Sequence, residues 1–216
     1  MEKTYNVQFT QPFNMVISGS SNTGKSEWVF RLIENAAIMI SPPVDLIIYC
    51  FKEYQSRFKD IKGVNFHSGF DESLISKEKL QDRSVLLILD DLMTTIDSDI
   101  LLNIFTVLSH HRKINPIFIC HNLYFSGLKC MRTISLNTAY NVIMKNPRDK
   151  SSIECLGRQM FPGQSKFFME SYNFATRKSY SYLVIDSKPT QDDDLRLRTN
   201  VFPGEQMICF IPNKKK

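Results

Sequence analysis

Short apolar runs alternate along this chain with longer stretches in which apolar residues recur at helical spacing. Phe13 to Ser18, Leu46 to Cys50, Val85 to Asp90, Ile117 to His121 and Tyr140 to Met144 are rich in Val, Ile and Leu, the pattern of strands covered on both faces. Between them helices are predicted near Lys25 to Ile38, Ser98 to His111, Lys150 to Gln159 and Gly163 to Ala175. The second carries apolar residues at positions 100, 101, 104, 105 and 108, along one side of a helix. Tyr180 to Ile185 reads as a late strand. Strands alternating with helices in this way predict an α/β fold, a mainly parallel central sheet with helices packed on both faces.

The pattern weakens over segments 60 to 84 and 122 to 138, each of which follows a strand or its short helix, where functional loops of such sheets gather. Residues 187 to 200, with Pro189 and Asp192-Asp193-Asp194, read as a polar connector. The closing Lys214-Lys215-Lys216 reads as a frayed, solvated tail.

Composition narrows the class. A chain of 216 residues suits one α/β domain with a sizeable core. With 43% apolar and 23% charged residues, its balance is globular rather than disordered or membrane-embedded. The most apolar long stretch, Trp28 to Ile40, is broken by Arg31 and Glu34, well short of the roughly 20 uninterrupted apolar residues a spanning helix needs. Met1 to Asn6 lead into no apolar signal core, so secretion is not expected. The five cysteines are scattered without a C-x-x-C pair, which argues against a disulfide framework or zinc knuckle and fits a reducing compartment. A net charge of +5 is compatible with a polyanionic partner.

The chemistry concentrates in two places. Gly19-Ser20-Ser21-Asn22-Thr23-Gly24-Lys25-Ser26 is a P-loop, G-x-x-x-x-G-K-S, with a predicted strand before it and a helix after it. Backbone N–H groups at a helix N-terminus favour phosphate; Lys25 would reach the β- and γ-phosphates of ATP, and the Ser26 hydroxyl would ligate Mg2+. Val85-Leu86-Leu87-Ile88-Leu89-Asp90-Asp91 sets two carboxylates at the mouth of a buried strand. Asp90 is the expected metal partner, and Asp91 the group that orients and deprotonates the attacking water. The next strand ends in His121 and Asn122, either of which could sense the γ-phosphate, with Asn122 the first choice. Arg112 is the first candidate for an arginine acting in a neighbouring subunit's site, with Arg132 and Arg158 in reserve. His110, His111, Cys120 and His121 match no familiar metal-ligand spacing, and Phe167, Phe168, Tyr172 and Phe174 read as core.

The chain resembles the FtsK-HerA branch of P-loop ATPases, and within it the DNA-packaging ATPases of double-jelly-roll viruses, poxvirus-like viruses and Maverick/Polinton elements. The likeness rests on Gly19 to Ser26, Leu87 to Met93, Ser109-His110-His111-Arg112-Lys113, Arg132 to Asn137 and Lys145-Asn146-Pro147-Arg148-Asp149-Lys150. It implies a homo-oligomeric ring that drives double-stranded DNA into a preformed capsid by ATP hydrolysis, recruited by capsid or portal-vertex proteins in the host cytoplasm or nucleus. It also implies that the Ile117 strand lies between the P-loop strand and the Asp-pair strand. Relatives often carry Gln-Asn where His121-Asn122 stands here. A small-molecule kinase would share the P-loop but need an arginine-rich lid, which does not stand out; a weakly hydrolysing ATP-binding scaffold is a further alternative. A GTPase would need N-K-x-D, and Asn213-Lys214 is followed by no Asp.

Overall fold

The computed structural model describes residues 8–212; Met1 to Asn6 and the terminal lysines lie outside this range. The strands are β1 (Phe9–Thr10), β2 (Met15–Ser18), β3 (Ile40–Ser41), β4 (Leu46–Phe51), β5 (Val64–Ser68), β6 (Val85–Asp90), β7 (Ile114–Cys120), β8 (Tyr140–Met144), β9 (Tyr182–Asp186), β10 (Leu197–Thr199) and β11 (Ile208–Cys209). Nine of them form one sheet in the order β11-β10-β9-β8-β2-β7-β6-β4-β5. From β5 to β8 the neighbours run parallel, and β9, β10 and β11 extend the sheet antiparallel. β7 lies between the P-loop strand β2 and the Asp-pair strand β6, as the resemblance implied.

Each strand alternates its side chains between two apolar layers. Ile17, Tyr49, Ile88, Ile119 and Val142 meet Trp28, Val29, Phe30 and Leu32 of the helix Lys25–Glu34. Val16, Cys50, Leu87, Phe118 and Ile143 meet helices Ser98–Asn103, Met131–Asn137, Lys150–Met160 and Ser165–Ala175 on the other face. Helices Lys150–Met160 and Ser165–Ala175 approach closely at Gly157, where an added Cβ would sit 2.4 Å from the Phe168 ring. Phe168 and Tyr172 are core, as expected. Phe174 is not: it is 48% exposed and packs beside Phe210 and the Arg177 guanidinium.

Several boundaries move for identifiable reasons. The first helix breaks at Asn35, whose side chain bonds back to Arg31 O at 2.8 Å, and resumes only as Ala36–Met39. β7 begins at Ile114 rather than Ile117. Pro116 offers the ladder no N–H, while the buried Asn115 side chain bonds to Val85 O, Gln11 and Phe13 N. The helix from Ser98 opens into a π turn over Ile104–Leu108; there Phe105 O accepts from Asn14 Nδ2 and Ser109 Oγ, both at 2.8 Å, a side-chain insertion typical of such turns. Segment 60 to 84 contains β5, and 122 to 138 contains the helix Met131–Asn137. The polar connector contains β10, whose Arg198 is fully buried in an ion pair with Asp186 at 2.9 Å.

Candidate active site

The parallel strands end together at one rim of the sheet, and a cleft of about 370 Å³ opens there, lined by Ser21, Asn22, Gly24, Lys25, Ser26, Asp90, Asp91 and His121 with Lys52, Glu53 and Gln55. The P-loop leaves β2 at Gly19, where a Cβ would stand 2.7 Å from Met144 Cβ, so a larger residue would push the loop off β8. Gly24 has φ +92, a conformation that costs other residues energy. Thr23 Oγ1 donates to Ser20 O at 2.8 Å, closing the loop on itself.

Asn146, buried at the end of β8, fastens the loop to its neighbours. Its Oδ1 accepts from Ser20 Oγ at 2.9 Å, its Nδ2 donates to His121 O at 3.3 Å, and its backbone N–H donates to the Tyr172 hydroxyl at 3.0 Å. One amide thus ties together the ends of β8, β2 and β7.

Lys25 is buried, and its ammonium donates to Gly19 O at 2.9 Å, Ser20 O at 3.0 Å and His121 Nδ1 at 3.2 Å. Burial lowers its pKa below the usual lysine value, and the nearby acids Asp90 and Asp91 oppose that shift. With His121 Nδ1 accepting from Lys25, Nε2 carries the ring proton and faces Asp91 Oδ1 at 3.3 Å.

Asp90 is 5% exposed. Its Oδ2 accepts from Tyr49 Oη at 2.6 Å, Ser26 Oγ at 3.1 Å and Gln55 Nε2 at 3.3 Å. Burial raises its pKa above the usual carboxylate value, against the hydrogen bonds from Tyr49 and Ser26. Burial likewise pushes the neighbouring Cys120 thiol up to about 12, leaving it protonated and unreactive. One carboxylate beside one hydroxyl, both hard oxygen donors, is a set that suits Mg2+, whose other positions go to water and phosphate oxygens.

Strand alternation alone would send Asp91 to the opposite face from Asp90. Instead Asp91 takes φ 57, a left-handed turn that Asp tolerates, and both carboxylates line the same cleft.

The cleft therefore gathers the P-loop residues, Asp90 and Asp91. Of the pair ending β7, His121 faces it; Asn122 is exposed and outside the lining, so the first choice reverses in favour of His121. Arg112 precedes β7 and stands at the opposite end of that seven-residue strand, about 20 Å away, so it cannot serve its own site. Arg132 and Arg158 are exposed on helices of the far layer. Tyr49 and Gln55 had no sequence signal of their own, and Asn146 stood in a block that carried the resemblance but was given no role: what each does depends on which strands become neighbours.

No protein-family model matches the sequence, and no curated protein sequence does. Among solved structures, the chain is similar to the genome-packaging NTPase B204 of Sulfolobus turreted icosahedral virus 2. In complex with ATP-gammaS that protein superposes with a TM-score of 0.58 at 13% identity, over 93% of this chain and 98% of its own. Its sulfate complex gives 0.57 at 13% identity, over 98% and 100%. The cytoplasmic domain of the Thermomonospora curvata type VII secretion ATPase EccC gives 0.53 at 14% identity, over 91% of this chain and 25% of its own. Identity this low speaks for the fold: the chain has the α/β P-loop NTPase architecture that a viral genome-packaging NTPase also adopts.

Proposed function

We propose that the chain is an ATP-hydrolysing motor that moves double-stranded DNA into a preformed viral capsid, working as a homo-oligomeric ring with capsid or portal-vertex proteins in the host cytoplasm or nucleus. The observation that carries the reading is the cleft itself: Lys25, Ser26, Asp90, Asp91 and His121 converge on one space at the helix N-terminus. Nearly full-length similarity in fold to a packaging NTPase supports the cellular role.

The chemistry follows from the side chains. The β- and γ-phosphates would lie along Ser21 to Ser26, and Lys25 would exchange its carbonyl partners for phosphate oxygens. Ser26 Oγ and Asp90 would hold Mg2+, which supplies charge neutralisation on the phosphate oxygens. Asp91 takes a proton from the attacking water as the water oxygen bonds to the γ-phosphorus. The bond from that phosphorus to the bridging oxygen breaks, and ADP leaves with the electron pair. His121 holds Oδ1 of Asp91 through Nε2, which leaves Oδ2 for the water.

Steady-state ATP hydrolysis with and without long double-stranded DNA, with small phosphate acceptors as controls, tests the reading. Stimulation by DNA without a phosphorylated product is expected, and Asp91→Asn should cut turnover by about 10² to 10⁴ while nucleotide still binds. Transfer to a small acceptor, indifferent to DNA, would make the chain a kinase; undiminished turnover in Asp91→Asn would remove that residue from the mechanism.

A further inference from the structure

Beside the cleft, on the side of the P-loop away from Asp90, lies a second pocket of about 210 Å³, lined by Asn22, Thr23, Lys145, Arg177, Lys178, Ser179, Tyr180 and Ser181. Asn22 borders both spaces, so a ligand whose phosphates lie on the P-loop has room to continue into this one. The second pocket contains no acidic side chain and three basic ones.

Tyr180 is its conspicuous member. An aromatic ring of that size is ordinarily covered, yet it is 72% exposed. Its backbone is held at φ 61 in a turn where Ser181 donates to Lys178 O through both Oγ, at 2.7 Å, and its backbone N–H, at 3.4 Å. Its Cδ1 lies 3.0 Å from the position of a Cβ on Gly24, so the ring is braced against the P-loop while most of it faces solvent. Arg177 at the pocket's edge is itself held over the Phe174 ring, 5.1 Å from the centroid. A braced, exposed ring next to a phosphate cradle, with cations around it, is the arrangement that stacks a base.

We infer that this pocket takes the nucleoside of the triphosphate, with the base stacked on Tyr180, and that it accepts adenine and guanine alike. This rests on the P-loop holding the phosphates, as proposed above. The argument for base tolerance is chemical. Adenine and guanine differ at their edges in donor and acceptor pattern, and a reader must be fixed as one or the other. The polar side chains free to meet a base edge are the Ser179 hydroxyl, the Asn22 amide and the cations Lys145, Arg177 and Lys178, since Thr23 Oγ1 and Ser181 Oγ already donate to Ser20 O and Lys178 O. Ser179 and Asn22 can both donate and accept, and the cations, which only donate, find the N7 acceptor on either purine, whereas a carboxylate, which accepts only, would select guanine's N–H groups. Stacking is blind to the edge pattern because every base has a π face.

Binding, rather than turnover, tests this independently of the motor reading. Calorimetric affinities with Mg2+ are to be measured for methylene-bridged analogues of ATP and GTP, and for inorganic tripolyphosphate, on the wild type, Tyr180→Ala and Tyr180→Trp. The wild type should bind the two analogues within about threefold of each other. Tyr180→Ala should weaken both by roughly tenfold, in line with the loss of one base stack, leave tripolyphosphate unchanged, and be rescued by Tyr180→Trp. Unchanged analogue affinity, or an equal loss for tripolyphosphate, would overturn the stacking assignment, the latter making Tyr180 a brace for the loop. A wild-type preference above about thirtyfold for one analogue would overturn base tolerance. If tripolyphosphate fails to bind the wild type, the phosphate cradle falls and the motor reading with it.

Discussion

Asp90 illustrates the cost of burying a carboxylate at the mouth of a cleft. Its carboxyl is buried, and desolvation outweighs the hydrogen bonds that favour the ionised form, so its folded pKa is raised. Between the ordinary carboxylate pKa and that raised value, the folded chain keeps a proton that the unfolded chain has lost. The Asp90 contribution to stability therefore falls as pH climbs through that window. Asp90→Asn removes this contribution. In metal- and nucleotide-free protein it should raise the melting temperature at neutral pH and narrow the gap between mildly acidic and neutral melting temperatures, while Mg2+-dependent hydrolysis collapses. Thermal melts of both proteins across pH, without divalent cations, check this; a variant that melts lower at neutral pH contradicts it. Lys25, Ser26, Asp90 and Asp91 were legible in the chain because a motif and an apolar strand fix their places together. The choice between His121 and Asn122 was not, because it turns on backbone geometry after β7 that alternation does not encode.

Among the elements, the parallel strands were readable from their apolar runs, whereas β5 and β10 were not. Val64-Asn65-Phe66-His67-Ser68 is an edge strand with few apolar residues. Leu197-Arg198-Thr199 falls within the segment read as a polar connector, yet its arginine is buried because Asp186 on the neighbouring strand pairs with it. Such pairings are settled by sheet neighbours, not by local pattern. The same holds for Asn146, which joins three strand ends. Asn146→Ala leaves the Ser20 hydroxyl and the His121 carbonyl without these partners. It should cost about 1–3 kcal/mol of stability and weaken nucleotide binding about tenfold, measured by denaturant titration and calorimetry. Full stability with full affinity would mean the tie is incidental.

At the scale of the whole molecule, a net charge of +5 and the proposed action on double-stranded DNA of any sequence lead to a definite salt response. DNA binding should weaken steeply and log-linearly with salt, which filter binding at several salt concentrations measures; salt-insensitive or base-specific binding would count against a translocase. Arg112 stands at the far end of β7 from its own cleft, so acting as a finger, as proposed for the ring, would require a neighbour's site. Arg112→Ala should retain nucleotide binding yet lose about 10³-fold or more in turnover, and inert subunits that keep Arg112, such as Asp91→Asn, should restore part of it on mixing. Finally, the close approach at Gly157 gives the site a foundation one layer deeper than its chemistry. Phe168 rests on Gly157, Tyr172 stands one helical turn further along the same helix, and its hydroxyl receives the Asn146 N–H beneath the P-loop. The spacing of two remote helices thus works as a shim under the phosphate cradle, and a single methyl added between them would tilt a catalytic rim that it never touches.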